Sequence, residues 1–375
     1  MDASIPFWMY IVGFPLLLGP LVTLHELGHY LVGRWFGVEA EAFSVGFGKE
    51  LWGFTDKRGT RWKLSALPLG GYVQFKGDMN PASAPDRRKP AAERPVRDGS
   101  FQNAPLHQRA LIVAAGPVTN ILVTLAIFAA FFMVVGKPVA ADPERQLTVA
   151  AFSAGSPAQR AGMVAGDRIV AIDGKAIGDF RDLQGAVMLY PGKRLAVTIE
   201  RDGATRMLAV TATSEEETDR FGNVSRIGRI GVRPAGAAFA FQRLGPIESI
   251  AAATGYSVDI VRMMITGIAQ IVSGERSVKE LGGPVKIAKY SGEQLSLGPL
   301  AFINFVALIS LNLAFINLLP IPGLDGGHLA FYAAEAVRGK PVGPRGLEVA
   351  YRSGMALVLA LMLFVTFNDL VGLIG

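Results

Sequence analysis

Four long apolar segments constrain the fold of this 375-residue chain more than any other feature. They run over roughly residues 7–31, 110–136, 299–320 and 354–374, and each is long enough to cross a bilayer as a helix. Half of the residues are hydrophobic, only 18% are charged, and the mean hydropathy is +0.35, which is too apolar for an ordinary soluble protein. The sequence therefore predicts a polytopic α-helical membrane protein with four transmembrane helices.

The loop that joins the first two apolar segments predicts the orientation of the chain. From Arg34 to Arg109 it contains 13 Lys and Arg residues against 8 Asp and Glu residues. By the positive-inside rule this loop is cytoplasmic, so the N-terminus and residues 137–298 lie on the opposite side. The net charge of +6 thus indicates membrane orientation, and we do not expect nucleic acid as a partner. The chain has no Cys, which excludes disulfides and Cys-ligated metals.

The first apolar segment contains the sequence His25-Glu26-Leu-Gly-His29. Residues four positions apart share one face of a helix, so the two imidazoles can bind one metal ion. Glu26 can reach a water on that metal without being a ligand. Ionisable groups in an apolar segment are costly and usually functional, which favours a catalytic site over a pair of core histidines. Since the segment has no Lys or Arg before Arg34, it does not resemble a signal peptide.

The third apolar segment closes with Asn317-Leu-Leu-Pro-Ile-Pro-Gly-Leu-Asp325-Gly-Gly-His328. With four spans, Asp325 returns to the side of the histidine pair, where a carboxylate completes a two-His, one-carboxylate zinc site with an open position. We expect the Pro and Gly residues to break the helix beside a cavity, because non-helical backbone at membrane depth needs such shielding. His328 is the alternative third ligand, and otherwise we expect it to be structural.

The second apolar segment contains Gly116-Pro117-Val-Thr-Asn120. Gly-Pro in the middle of a span predicts a kink and close helix contact. Packing alone would explain Gly116, whereas the buried amide of Asn120 needs a partner.

The polar regions predict three further parts. In the loop 34–109, residues 43–48, 62–67 and 71–75 have the composition of short strands and predict a cytoplasmic, membrane-associated β-loop. Its edge can hold an extended substrate by strand addition, or it is a β-cap without a substrate role. Residues 79–105 predict a flexible linker. Residues 235–298 predict amphipathic helices on the membrane surface, because the charged residues of 246–273 lie largely on one face, which argues against a fifth span.

Residues 145–234 predict an inserted α+β domain that alternates strands and turns. The stretch Ser156 to Gly174 predicts a short helix, a turn, a strand and a tight Asp173-Gly174 turn, and it resembles PDZ domains of the bacterial protease type. Such domains bind extended peptides, often C-termini, so we expect a peptide partner here. The chain is thus divided into 1–136, 145–234, 235–298 and 299–375, the last part supplying the third metal ligand.

Taken together, the motifs resemble the site-2 protease family of intramembrane zinc metalloproteases, of the bacterial regulator of sigma-E protease type. The resemblance rests on the His25 to His29 motif, Gly116-Pro-x-x-Asn120, the PDZ-like insert, Leu281-Gly-Gly-Pro284 and the motif from Asn317 to His328. One PDZ-like domain is present, whereas the enterobacterial type has two in tandem, so functions attributed to that pair do not transfer.

The resemblance implies His25, His29 and Asp325 as Zn²⁺ ligands and Glu26 as the catalytic carboxylate. It also implies roles for Asn317 near the substrate and for a substrate-clamping strand. We therefore predict the following substrate-binding residues: Gly71, Tyr72, Val73, Asn120 and Asn317.

The resemblance further implies a multi-pass protein of the bacterial inner membrane, in contact with lipid, with its N-terminus and PDZ-like domain in the periplasm. Its substrates would be transmembrane proteins already trimmed by another protease, such as anti-sigma factors or remnant signal peptides. Two other functions remain open from the residues. One is a membrane zinc protease that cuts lipid-modified C-termini or ordinary loops, and the other is a non-catalytic PDZ adaptor with a structural metal.

Overall fold

The structure is a computed structural model that describes residues 5–77, 99–218, 224–236, 239–278, 281–340 and 343–374. Its helices are α1 (Phe7–Trp35), α2 (Leu106–Val134), α3 (Pro143–Leu147), α4 (Pro157–Arg160), α5 (Phe180–Met188), α6 (Pro246–Val272), α7 (Pro284–Ser296), α8 (Pro299–Leu318), α9 (Asp325–Arg338) and α10 (Pro344–Ile374). Its strands are β1 (Ala40–Thr55), β2 (Arg61–Phe75), β3 (Lys137–Ala140), β4 (Val149–Phe152), β5 (Arg168–Ile172), β6 (Lys175–Ala176), β7 (Arg194–Arg201), β8 (Ala204–Thr211), β9 (Thr213–Thr218), β10 (Val224–Arg229), β11 (Val232–Pro234) and β12 (Phe239–Gln242).

The chain divides into two compact units. The first, called the helical unit, comprises Met1–Phe128, Ala253–Val261 and Leu281–Gly375. The second, called the inserted unit, comprises Ala129–Ala252 and Arg262–Glu280.

Four helices in the described part of the chain are long and apolar enough to cross a membrane, as predicted. They are Phe7–Trp35, Leu106–Val134, Pro299–Leu318 and Arg345–Val371. The fourth begins about ten residues earlier than predicted, because its first turns are polar and were left out of the apolar segment. There Glu348 and Arg352 form an ion pair at 3.0 Å, one helical turn apart, which is compatible with a helix that continues beyond the apolar stretch.

The helical unit is held together by close packing on α1. Leu17 and Leu21 are fully buried and form one apolar cluster with Phe302 and Ile309 of α8. Nearer its N-terminal end α1 lies against α7, where Gly292 leaves room for Tyr10: a Cβ atom on Gly292 would lie 2.5 Å from the Tyr10 ring. Small residues of this kind let helix backbones approach one another in a membrane.

Helix α10 holds the N-terminal end of α7. The buried carboxylate of Asp369 accepts hydrogen bonds from the backbone N–H groups of Gly283 and Lys286, at 3.0 Å each for Oδ2. Since the first N–H groups of a helix lack partners within it, Asp369 supplies the cap that the local sequence does not.

Strands β1 and β2 are bent and pair with each other twice. Residues 42–45 of β1 pair with residues 71–74 on one side and with residues 61–64 on the other. The three predicted short strands are therefore present, as parts of two long strands. In this arrangement residues 71–75 form an edge of the sheet. The aromatic rings of Phe43 and Trp62 stack at 4.5 Å and join this sheet to the Tyr30 ring of α1.

The predicted linker lies partly outside the described residues, which omit residues 78–98. Residues 99–105 contain a 3-10 turn at Phe101–Asn103, where we expected flexible chain. The reason is Phe101, which is buried and stacks on Phe75 at 5.6 Å.

The inserted unit has the predicted α+β character. Its largest sheet has the strand order β6-β5-β7-β8. Strand β7 of this sheet contributes Leu195, Val197 and Ile199 to an apolar core. The Asp173-Gly174 turn between β5 and β6 is present, with φ of 48° and 77° at its two residues, which favours Gly at the second position.

A helix cap and a buried ion pair stabilise this unit. Asp179 caps α5 by accepting hydrogen bonds from the N–H groups of Arg181 and Asp182. Buried Asp167 accepts from Arg201 at 2.6 and 2.7 Å and from the Val164 N–H at 2.8 Å.

Candidate metal centre

Three side chains from two distant helices converge in the helical unit. His25 and His29 lie one turn apart on α1, and Asp325 is the first residue of α9. The Nε2 atoms of the two histidines are 3.2 Å apart, and Asp325 Oδ2 lies 3.2 Å from His25 Nε2 and 3.6 Å from His29 Nε2. Both imidazoles are buried. The spacing of the His-Glu-x-x-His motif thus places both rings beside the predicted carboxylate.

The geometry of these three atoms fits a zinc ion. Ligand atoms about 2.0–2.1 Å from a tetrahedral zinc lie about 3.3 Å from one another, and the three measured distances bracket that value. Two imidazoles and one carboxylate are also the donor set of catalytic sites that keep a fourth position for water or substrate. His25, His29 and Asp325 are therefore able to hold Zn²⁺.

The outer nitrogen of each imidazole faces a group that fixes the ring. His29 Nδ1 lies 2.8 Å from the backbone oxygen of Ile112, so Nδ1–H donates there and the Nε2 lone pair faces the carboxylate. His25 Nδ1 lies 3.3 Å from the side-chain amide nitrogen of Asn120. Among the described residues the buried Oδ1 of Asn120 has no hydrogen-bond partner.

Exchanging the two ends of the Asn120 amide resolves this mismatch. Oxygen and nitrogen of an amide are assigned from the surrounding hydrogen bonds, and a metal-binding His25 carries its proton on Nδ1. With Oδ1 toward His25, the orphaned oxygen accepts that proton's hydrogen bond and His25 Nε2 is left for the metal. We predicted Asn120 to bind substrate; the structure places it on the cavity wall with its amide against His25.

Glycines make room for the ligands. A Cβ atom on Gly116 of α2 would lie 2.3 Å from His29 Nε2 and 2.8 Å from His25 Cε1. Gly326 and Gly327, which we expected to break the helix, lie instead in the first turn of α9. A Cβ atom on either would lie 2.3 Å from a backbone oxygen of the preceding loop, so these glycines let that loop pack against the start of α9.

One cavity of about 280 Å³ unites the predicted site residues. Its lining includes every residue that we predicted for catalysis, metal binding or substrate binding: His25, Glu26, His29, Gly71, Tyr72, Val73, Asn120, Asn317 and Asp325. Glu26 lies beside the edge of the sheet, where its Oε2 accepts a hydrogen bond of 3.2 Å from the Val73 N–H. The carboxylate, the metal ligands and a strand edge therefore open onto the same space.

His328 also lines this cavity but does not join the ligand group. His25, His29 and Asp325 form the metal-ligand cluster that the described residues offer, with ligand atoms all within 4.8 Å of one another. His328 instead hydrogen-bonds through Nδ1 to the hydroxyl of Tyr351 at 2.7 Å. The geometry thus favours Asp325 over His328 as the third ligand.

The sequence alone did not point to Ile112 or Tyr351. Ile112 contributes a backbone oxygen, which leaves no trace in the sequence. Tyr351 lies in the polar first turns of α10, outside the apolar segment that we predicted. The role of Gly116 beside the imidazoles had a signal, since the Gly116-Pro117 pair stood in the middle of a span.

Comparison with known proteins gives one consistent result. The model of peptidase family M50 matches residues 13–361. A protein of Agrobacterium fabrum named as a candidate zinc metalloprotease is 44% identical over 98% of this chain and 97% of its own length. A Caulobacter vibrioides protein named metalloprotease MmpA is 35% identical over 98% of this chain and 96% of its own length.

Among solved structures, the PDZ domain of an SdrC-like protein from Listeria monocytogenes matches 26% of this chain and 93% of its own length. The identity is 18% and the TM-score is 0.20, so the PDZ-like assignment continues to rest on the sequence. The family match covers nearly the whole chain, including His25 and His29 of α1, Asp325 of α9 and the residues of α2 that contact the two histidines. This chain belongs to peptidase family M50 and is an intramembrane zinc metalloprotease.

Proposed function

We propose that His25, His29 and Asp325 bind the zinc ion and that Glu26 is the catalytic carboxylate for cleavage of peptide bonds within or near transmembrane segments. The observation that carries this proposal is the tetrahedral spacing of the three ligand atoms in a cavity that Glu26 shares. When bound, zinc supplies Lewis-acid chemistry: it polarises a carbonyl and lowers the pKa of water to about 7.

Glu26 moves the protons of this hydrolysis. Its carboxylate takes one proton from the attacking water, whose oxygen forms a bond to the scissile carbonyl carbon. When the carbon–nitrogen bond breaks, Glu26 delivers that proton to the leaving amine nitrogen. The products are a carboxylic acid and an amine, and Glu26 returns to its starting state.

The edge of the sheet at Gly71, Tyr72 and Val73 is proposed to hold the substrate. Residues 71–74 pair with β1 on one side, and the Val73 N–H points away from β1 toward Glu26. An extended substrate segment that added to this edge would accept the Val73 hydrogen bond in place of Glu26. Strand addition would then have two effects at once. It would unwind the substrate helix, and it would release the Glu26 carboxylate for proton transfer.

The two amides at the cavity receive different proposed roles. Asn317, near the end of α8, lines the cavity and is proposed to hydrogen-bond the substrate backbone. Asn120 is fully buried and bonded to Ser310 and Thr124 through its backbone oxygen, which supports a role in orienting His25.

The proposed orientation in the membrane rests on the distribution of charge. The excess of Lys and Arg in the loop 34–109 supports a cytoplasmic location for that loop in a bacterial inner membrane. The N-terminus and the PDZ-like region 145–234 would then be periplasmic. That region would bind a peptide or C-terminus and exclude substrates with bulky outside domains, so that another protease must trim them first.

Cleavage of a single-span model substrate by purified protein in detergent tests the proposal. Wild type and Glu26→Gln are compared, and the zinc content of each is measured. We expect about one zinc in both and cleavage by wild type only, with kcat reduced at least about 10³-fold in the variant.

Three other results would each exclude part of the proposal. Equal cleavage by both proteins would refute the role of Glu26. Zinc without cleavage of any of a panel of single-span substrates would favour the non-catalytic adaptor. Absence of zinc from wild type would refute the ligand set.

A further inference from the structure

His328 occupies a position in the cavity that neither metal binding nor the proton transfers of Glu26 explains. It lies one turn after Asp325 on α9, and its ring is buried. Nδ1 is 2.7 Å from the hydroxyl of Tyr351, and the two rings contact each other with centroids 5.0 Å apart. Among the described residues its second nitrogen, Nε2, has no hydrogen-bond partner, although the ring lines the cavity. Most buried side-chain nitrogens have a hydrogen-bond partner, so an Nε2 that faces the cavity is available to a substrate group.

The contact with Tyr351 determines what Nε2 can do. A phenol hydroxyl is an effective donor, and a neutral imidazole has one acceptor nitrogen and one N–H. When Tyr351 Oη–H donates to Nδ1, the ring proton is placed on Nε2. His328 then presents an N–H group to the cavity and has no lone pair for a metal. This agrees with its position outside the ligand cluster of His25, His29 and Asp325.

We propose that His328 is a further catalytic residue, which donates a hydrogen bond from Nε2–H to the scissile carbonyl oxygen as negative charge develops on it, and that Tyr351 is a positioning residue that fixes the required tautomer. The proposal rests on the proposed function, since it assigns a donor to the same reaction. Its physical basis is that a fixed donor in a water-poor site stabilises the transition state more than the neutral ground state.

The expected effect is therefore on kcat. Removing one such donor typically lowers kcat about 10²–10³-fold. We expect this reduction for His328→Ala, with KM within about threefold of wild type and with one zinc still bound. His328→Gln retains an N–H donor and is expected to recover about tenfold of the loss.

Tyr351→Phe keeps the aromatic ring and removes the hydroxyl. We expect kcat to fall about tenfold with KM unchanged, because only part of the His328 population then carries its proton on Nε2. The double variant His328→Ala, Tyr351→Phe should be no slower than His328→Ala alone, since Tyr351 acts through His328. Tyr332→Phe is the matched control: its ring lies 6.5 Å from that of His328, and the Nδ1 partner is Tyr351.

The experiment measures kcat, KM and zinc content of these full-length variants on the single-span substrate, with thermal unfolding as the test of folding. An unchanged kcat in His328→Ala would overturn the proposal. So would loss of zinc in parallel with activity, which would make His328 a ligand, or additive effects of the two substitutions. Failure of the proposed function itself is recognised separately, because Glu26→Gln would then be as active as wild type.

Discussion

The helical unit and the inserted unit both bury charged side chains, but they arrange them differently. In the inserted unit, the carboxylate of Asp167 is surrounded by donors: Arg201 and the Val164 N–H approach both of its oxygens. In the helical unit, His25, His29 and Asp325 direct their acceptor atoms at one another across 3.2 to 3.6 Å. The first arrangement is complete, whereas the second is able to hold a cation between its members.

The partners also differ in how far apart they are in the sequence. In the inserted unit, the buried carboxylate of Asp167 pairs with Arg201, 34 residues further along the chain. The candidate metal centre joins α1 to Ile112 and Asn120 of α2 and to Asp325 of α9. The buried ion pair of the inserted unit thus joins two residues of one small domain, whereas the candidate metal centre joins α1 to a helix that begins 300 residues after His25.

The largest expected effect is on zinc content, and it distinguishes the Asp325 site from the Asp167 ion pair. Asp325→Ala removes the proposed carboxylate ligand of the zinc site, so we expect zinc content to fall from about one to near zero and cleavage to fall more than about 10³-fold. Asp167→Asn is the matched control, since it also removes a buried carboxylate charge but should retain zinc. Metal analysis of both purified proteins tests this. Retention of zinc by Asp325→Ala would contradict the ligand assignment.

An intermediate effect is expected at Gly116. In Gly116→Ala the added methyl group would lie 2.3 Å from His29 Nε2, so the imidazole must move. We expect zinc affinity to fall about 10–100-fold, as for other changes that misorient a ligand. Gly19→Ala is the control, because a Cβ atom there meets nothing within 4 Å among the described residues. Competition with a zinc chelator measures both, and equal affinities would show that the glycine is not needed for the site.

The smallest effect concerns the acid stability of the inserted unit. Burial alone would raise the pKa of Asp167, but the hydrogen bonds from Arg201 and Val164 N–H outweigh it and hold the pKa below its usual value. The stabilisation by its ionised form is complete above the unfolded pKa of about 3.9 and is lost as pH falls through the lower folded pKa. We expect β7 to lose protection below about pH 4 in wild type and to show a weaker pH dependence in Asp167→Asn.

Hydrogen exchange of the full-length protein, corrected for the intrinsic exchange rate at each pH, measures this protection. The same pH dependence in both proteins would assign the acid sensitivity to other groups.

The sequence predicted the parts of this molecule that periodicity and motif spacing encode. Four membrane-length helices and the pairing of His25 with His29 follow from apolar length and from the helical repeat. Asp325 could be predicted as the third ligand because four spans place it on the same side of the membrane as the two histidines. Each of these predictions requires only the sequence of one helix or the number of membrane spans.

The remaining features depend on contacts between elements and so were not predictable. The double pairing of residues 42–45 requires two bent strands, and the strand propensities predict only where the segments lie. Gly326 and Gly327 were expected to end a helix, and only the position of the preceding loop shows that they admit its backbone. Similarly, the Tyr351 hydroxyl reaches His328 because α10 extends beyond its apolar part.

The hydrogen bonds of Asp369 have a consequence for biosynthesis. Helix α7 lies against α1, yet its first turn is capped by a carboxylate of α10, which is translated after every other described helix. The proposed ligands are similarly spread: ribosomes adding roughly 5–20 residues per second need roughly 15–60 seconds to pass from His29 to Asp325. During this interval the nascent protein lacks Asp325, the proposed third ligand, so we expect no cleavage of the membrane proteins being inserted beside it. The order of the sequence would therefore delay proteolytic activity until Asp325 has been translated.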